Sequence, residues 1–184
     1  VKTQVALKDN PIELIVSKVS QGAALEKDLL RLAQWQLDRD EPESAKLTLL
    51  KQTSAEAKKL TLIADYKIYE KDSKPKESSQ ALIQLIDENP KDILVSQWGS
   101  ALAQKDPDAT KKRIEKIKEN VLIWTSGKEI DSSEFTRADL FYNLGETYES
   151  LEDGLQARQN FGNCAEEYQK ISESSSLKIP RGAQ

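Results

Sequence analysis

Residues 138–165 read ADLFYNLGETYESLEDGLQARQNFGNCA, and the spacing of large and small residues in this stretch decides the architecture. Phe141, Leu144 and Tyr148 recur at steps of three and four, the period of one helix face. After the break at Asp153-Gly154, Ala157, Phe161 and Cys164 recur in the same way. Two such helices joined by a short turn lie antiparallel, as a hairpin. Gly145 and Ala157, twelve residues apart, are the small residues at which the two helices can cross closely. Phe141, Tyr148 and Phe161 then fill the space on either side of the crossing, and Cys164 falls one turn after Phe161 on the same buried face.

Outward from this stretch, helix patterns run along nearly the whole chain and no run of alternating strand residues appears. The expected fold class is all-α. Asn10, Pro11 and Glu13 form an N-cap, a first-turn proline and an early carboxylate, and Ile12, Ile15, Val16 and Val19 follow on one face of a helix ending near Gly22. Further helices are expected over 24–39, 42–53, 55–71, 76–88, 92–105, 107–125, 134–151 and 154–173. Glu41-Pro42, Lys74-Pro75, Asn89-Pro90 and Asp106-Pro107 mark the breaks between them. Beyond about Ile171 the sequence SESSSLKIPRGAQ is Ser-rich and Pro-interrupted, and it predicts a largely extended or disordered tail.

The Phe141, Leu144, Gly145 and Tyr148 set, with Ala157 and Phe161, resembles the W-x-x-L-G-x-x-Y and A-x-x-x-F halves of a tetratricopeptide repeat. Looser copies lie upstream. Leu29, Leu32 and Ala33 precede Ala45 and Leu49; Leu60, Ile63 and Ala64 precede Ser78, Leu82 and Leu85; Val95, Trp98, Gly99 and Leu102 precede Thr110, Ile114 and Ile117. Two of the three steps between Ala33, Ala64, Gly99 and Gly145 fall near the family's period of about 34 residues, and the third carries an insertion. The resemblance implies an α-solenoid of about four helix hairpins over residues 23–170, with 1–22 as an N-terminal capping helix or half-repeat and 171–184 as a flexible tail.

Charge and composition narrow the function classes. The formal net charge of −4 gives no basic field to gather phosphates, so nucleic acid is not an expected partner. No run approaches the eighteen or so apolar residues of a membrane span, so no direct span is expected. The chain has no histidine and one cysteine. It therefore lacks the commonest general base and zinc ligand, and it can form no internal disulfide. No Gly-rich phosphate loop or nucleophile motif is present, and Glu166-Glu167 and the Asp38–Glu41 cluster read as solvated helix faces and caps. Catalysis, a metal and a cofactor are all unexpected.

What remains is an interaction module holding a protein or peptide. In the tetratricopeptide family the first helix of each pair lines the concave side, and the resemblance places Lys27, Leu30, Gln34 and Leu37, then Lys58, Thr61, Asp65, Ile68 and Tyr69, then Ser96, Ser100 and Gln104, and then Tyr142, Glu146 and Glu149 toward that groove, mixed and basic in its first half, small and polar in the middle and acidic at its end. Where family members that grip acidic chaperone tails carry a Lys, Asn and Arg clamp, this chain has Leu30, Gln34, Leu62, Ser96 and Tyr142, which disfavours that ligand. Trp98 is expected in the core and Trp35 partly exposed. Trp124, in NVLIWTSG, reads either as an extension of the packed helix with Val121 and Leu122 or as an anchor for a partner. An alternative role with the same fold is an accessory or tethering subunit of a larger assembly, for instance an envelope-associated one, docking through its edges or convex face.

Overall fold

The computed structural model describes residues 11–127 and 136–176, and among them every regular element is a helix. In chain order these are α1 (Pro11–Ser20), α2 (Glu26–Asp38), α3 (Pro42–Leu49), α4 (Ala55–Lys71), α5 (Pro75–Glu88), α6 (Val95–Ala103), α7 (Pro107–Lys111), α8 (Ile114–Ser126), α9 (Arg137–Ser150) and α10 (Gly154–Ser176). Proline at the first helical position costs no hydrogen bond, and it opens α3, α5 and α7 where the sequence placed the breaks. Ser54 caps α4 through the Ala57 N–H, Asp106 caps α7 through Ala109 N–H, and Thr136 and Asp139 form a reciprocal capping box on α9. The expected cap at Asn10 lies outside the described residues, as does the expected start of the α9 helix at residue 134.

The chain divides into two compact units, residues 1–81 and 82–184, the division falling inside α5. In the first unit α4 packs against both α2 and α3. Its core is built on alanines, with Ala33, Ala45, Ala57 and Ala64 wholly buried beside Leu37, Leu49 and Leu60. Small residues at the crossings let the helix axes approach, and the leucines close the space around them. In the second unit α9 packs against α6, α8 and α10. Here the crossings are at glycine. A Cβ on Gly99 would stand 2.6 Å from Ile117 Cδ1, and one on Gly145 2.6 Å from Phe161 Cε1. The side chain over Gly145 is thus Phe161, one turn beyond the expected Ala157, which is itself buried. Cys164 and Trp98 are buried as expected.

Three expectations are corrected. The helix expected over 107–125 is two helices, because the chain tightens at Arg113, whose N–H reaches back three residues to the Thr110 carbonyl. Arg113 is held there by its guanidinium, which donates to Asp87 Oδ2 at 2.6 and 3.1 Å and to the Ala109 carbonyl at 3.0 Å. This hydrogen bonding holds the Asp87 carboxyl below its ordinary range. Next, the tail does not begin at 171: α10 continues to Ser176, with Lys170 bonded to Glu167 and Gln169 to Glu173 along its last turns. The rest of the tail lies outside the described residues. Finally, the apolar stripe of α1 is only partly used. Ile15 is buried, but Val16 and Val19 are 50% and 40% exposed, since α1 packs chiefly on α2 and covers one edge of the stripe.

Helices α1, α2, α4 and α9 end in the same turn. In each, the residue after the cap takes a left-handed conformation, at Gly22, Asp40, Ser73 and Glu152, with φ between 56° and 67°. The next N–H then bonds five residues back: Ala23 to Lys18, Glu41 to Gln36, Lys74 to Tyr69 and Asp153 to Tyr148, all at 2.9–3.0 Å. Three of the four left-handed positions carry a side chain, which costs free energy that glycine would not. Ser73→Gly is therefore expected to stabilise the protein by roughly 0.5–1 kcal/mol, read from urea denaturation. Asp40→Gly should gain less, because Asp40 also pairs with Lys67 and Lys71 at 3.5 and 3.2 Å.

Candidate partner-binding surfaces

The outer turns of α2 and α4 carry the first part of the expected groove. Lys27, Gln34 and Lys58 are exposed, and Asp65 and Tyr69 are half-buried. Gln34 donates to Asp38 Oδ1 at 2.8 Å along its own helix. Asp65 is committed within the fold: Lys46, reaching from α3, meets it at 2.5 Å, and this contact raises the lysine's pKa. Its charge is spent internally. Beside these residues a cleft of about 450 Å³ opens between α1, α2 and α4, and Ile12, Leu30, Gln34, Trp35, Asp38 and Leu60 are among its walls. Of the predicted groove residues Leu30 and Gln34 line it, while Leu37 on the same helix is buried in the core. Trp35 gives the cleft an aromatic wall and carries the Arg39 guanidinium 4.9 Å from its ring centre.

In the second unit α9 presents two faces. Toward α6, Glu146 accepts from Ser100 Oγ at 3.0 Å and also bonds the Tyr142 phenol, which raises that phenol's pKa. The Tyr142 ring, 47% exposed, leans on Phe161 with centroids 5.8 Å apart. Tyr142 and Glu146 thus belong to one hydrogen-bonded set with Ser100, which is buried, as is Ser96, rather than open to a groove.

The other face of α9 turns Phe141, Leu144 and Tyr148 into a larger cleft, about 680 Å³, closed on its sides by α8 and α10. Lys118 on α8 donates to both oxygens of Glu115, at 3.1 and 3.3 Å, and lies beside the Tyr148 phenol, which burial pushes up in pKa. On α10 the wall is a row of carboxamides: Gln156, Gln159, Asn160 and Asn163. Sequence reasoning did not single out this cleft. The signal was present in the i, i+3, i+4, i+7 spacing of those amides, but the side they share can be recognised as a wall only once α8 is placed opposite.

Trp124 is half-buried, its indole N–H closed off from solvent without a hydrogen-bond partner among the described residues. The exposed apolar groups at the end of α8 are Leu122 and Ile123, at 66% and 50%. Leu122 therefore does not extend the packed face as the sequence suggested, whereas Val121 does. No helix among the described residues is long and apolar enough to cross a membrane. No protein-family model, curated protein or solved structure matches this chain.

Proposed function

We propose that the chain is a non-catalytic protein-interaction scaffold of tetratricopeptide-like helix hairpins, which holds a peptide or a partner domain on the face of its first helices. The observation that carries this reading is the open cleft beside α2 and α4, with Leu30 and Trp35 as apolar walls and Gln34 as a polar group on the same wall. Such a mixture of apolar contact area and a few fixed polar groups suits ligand capture. Support for the repeat reading comes from the packing of α4 on both preceding helices and of α9 on both α6 and α8, the arrangement by which each hairpin covers its neighbour.

Lys27 and Lys58 lie exposed on the same two helices, outside the lining of the cleft. Reversing both to Glu is expected to weaken capture of a partner peptide at least tenfold and to flatten its salt dependence, because rim charges act mainly on encounter and register. The melting temperature should hardly move, since exposed single charges contribute little to stability. Fluorescence anisotropy at two salt concentrations checks both points, and unchanged affinity in the double variant would remove the first-helix face as the working surface.

A second reading is favoured by the cleft between α8, α9 and α10. It is the larger of the two and has Leu122 exposed in its wall. In that reading the chain is an accessory or tethering subunit that docks through the side of its second helices. Trp124→Ala tests the neighbouring end of α8 as an anchor: loss of capture there, with the lysine reversals harmless, would select this role.

A further inference from the structure

We propose that the cleft between α8, α9 and α10 is a binding site for an extended peptide segment of a partner protein, gripped by its main chain and carrying a basic residue next to alternating apolar ones. The proposal rests on the second reading above, in which the chain docks through the side of its second helices, and names the ligand chemistry of that side. The carboxamide row is its first support. Gln156, Gln159, Asn160 and Asn163 follow the i, i+3, i+4, i+7 steps that keep residues on one helix face, and all four line the cleft. A carboxamide offers an acceptor oxygen and N–H donors together, the same pair of functions that a peptide group displays. A carboxylate or an ammonium would match only half of it.

The spacing fits an extended chain. Gln156 to Asn160 and Gln159 to Asn163 are each four residues, about 6 Å along a helix axis at 1.5 Å per residue. An extended strand repeats the peptide groups facing one side every two residues, about 6.6 Å. Successive carboxamides therefore meet successive same-facing peptide groups of a segment laid along α10. Asn160 is 7% exposed, and its Nδ2 donates to the Gln156 carbonyl at 2.8 Å, which fixes that amide and leaves its oxygen to accept. The side-chain amides of Gln156, Gln159 and Asn163 make no hydrogen bond among the described residues. A helical ligand would present no free peptide groups to them, its own N–H and C=O groups being paired within the helix.

The remaining walls set the side chains of the occupant. Phe141 and Leu144 form an apolar floor from α9, and Leu122, 66% exposed, faces it from α8. Alternate side chains of an extended segment point to one side, so an apolar residue at every second position would reach this floor. Charge decides the neighbouring position. Lys118 is held by Glu115, which leaves the exposed Glu119 as the unbalanced charge of the lining. The complementary group on the ligand is a lysine or arginine.

The test is to pan a phage-displayed random dodecapeptide library on the full chain, and to measure the selected peptides by fluorescence anisotropy against variants whose melting temperatures match the parent. The expected peptides carry a basic residue and alternating apolar ones. Their affinity should fall at least tenfold in Gln156→Ala/Gln159→Ala, stay within twofold in Lys27→Glu/Lys58→Glu, and prefer acidic over basic peptides in Glu119→Lys. N-methylation of alternate peptide nitrogens should each cost tenfold or more, a loss that side-chain recognition alone would not produce. Peptides that respond to the lysine reversals and ignore Gln156 and Gln159 overturn this site while leaving the scaffold reading in place. Peptides that bind as helices, lost on Leu122→Glu but indifferent to the carboxamides, overturn the extended ligand. A library that yields no binder to either face overturns both this site and the scaffold reading.

Discussion

Gly99→Leu is expected to destabilise the protein by on the order of 3 kcal/mol, at the upper end of what overpacking costs. A Cβ at this position would lie 2.6, 3.2 and 3.3 Å from three side-chain carbons of Ile117. Ile117 is wholly buried, and a β-branched residue within a helix has one strongly preferred rotamer. It has nowhere to go, so α6 and α8 must separate. The same substitution at Gly145 meets Phe161 at 2.6 and 2.7 Å, but the Phe161 ring is half-buried and borders the exposed Tyr142. That ring can swing outward, and Gly145→Leu should cost about 1–2 kcal/mol. Urea denaturation of both variants and of Gly99→Leu/Ile117→Ala decides the matter. Ile117→Ala alone should cost about 2–4 kcal/mol and far less in the Gly99→Leu background, because the two changes share one space. Equal losses at the two glycines, or strict additivity, would mean that Gly99 is not held against Ile117.

Asn120→Asp should cost about 3–5 kcal/mol at neutral pH, the range for an uncompensated buried charge. Asn120 is 1% exposed, and its Nδ2 donates to the Pro90 carbonyl at 2.8 Å and the Asp92 carbonyl at 3.1 Å, tying α8 to the turn ahead of α6. The substitution places a carboxylate oxygen against two carbonyl oxygens in a site closed to water. Its folded-state pKa is raised above the unfolded value of about 3.9. Below that unfolded value both states are protonated, and the neutral acid can still donate one hydrogen bond. Above it the folded state binds more protons than the unfolded one, so stability falls by about 1.4 kcal/mol per pH unit until the folded pKa is passed, and is flat beyond. Urea unfolding between pH 4 and 8 should show this slope in Asn120→Asp and none in Asn120→Ala relative to the parent. Parallel profiles for the two variants would show that position 120 is open to solvent.

The helices were legible where a local signal fixed an end. Pro42, Pro75, Pro107 and Gly154 each begin one, and the small residues Ala33, Ala64, Gly99 and Gly145 are all buried. The break at Arg113 was not legible, because its cause is Asp87, twenty-six residues away in sequence. A pattern of helix-compatible residues does not record a bond made across the fold. The groove residues divide in the same way. Exposure of Lys27, Gln34 and Lys58 follows from their place opposite the apolar stripes, whereas the pairing of Asp65 with Lys46 depends on where α3 ends up. The cleft between α8, α9 and α10 draws its walls from three helices, and no single periodicity announces it.

The shared turn at Asp40, Ser73 and Glu152 implies that the joint after a helix is written in main-chain hydrogen bonds, while the lettering above it is free. The three-residue joints read Arg-Asp-Glu, Asp-Ser-Lys and Leu-Glu-Asp, and they share no residue at any place, yet each returns the same pair of bonds to the helix it ends. Kinship between these joints is therefore a matter of grammar rather than vocabulary. Two helix ends of this chain can be spelled without a common letter and still close with the same bonds, and a tally of identical residues will undercount how closely they are built alike.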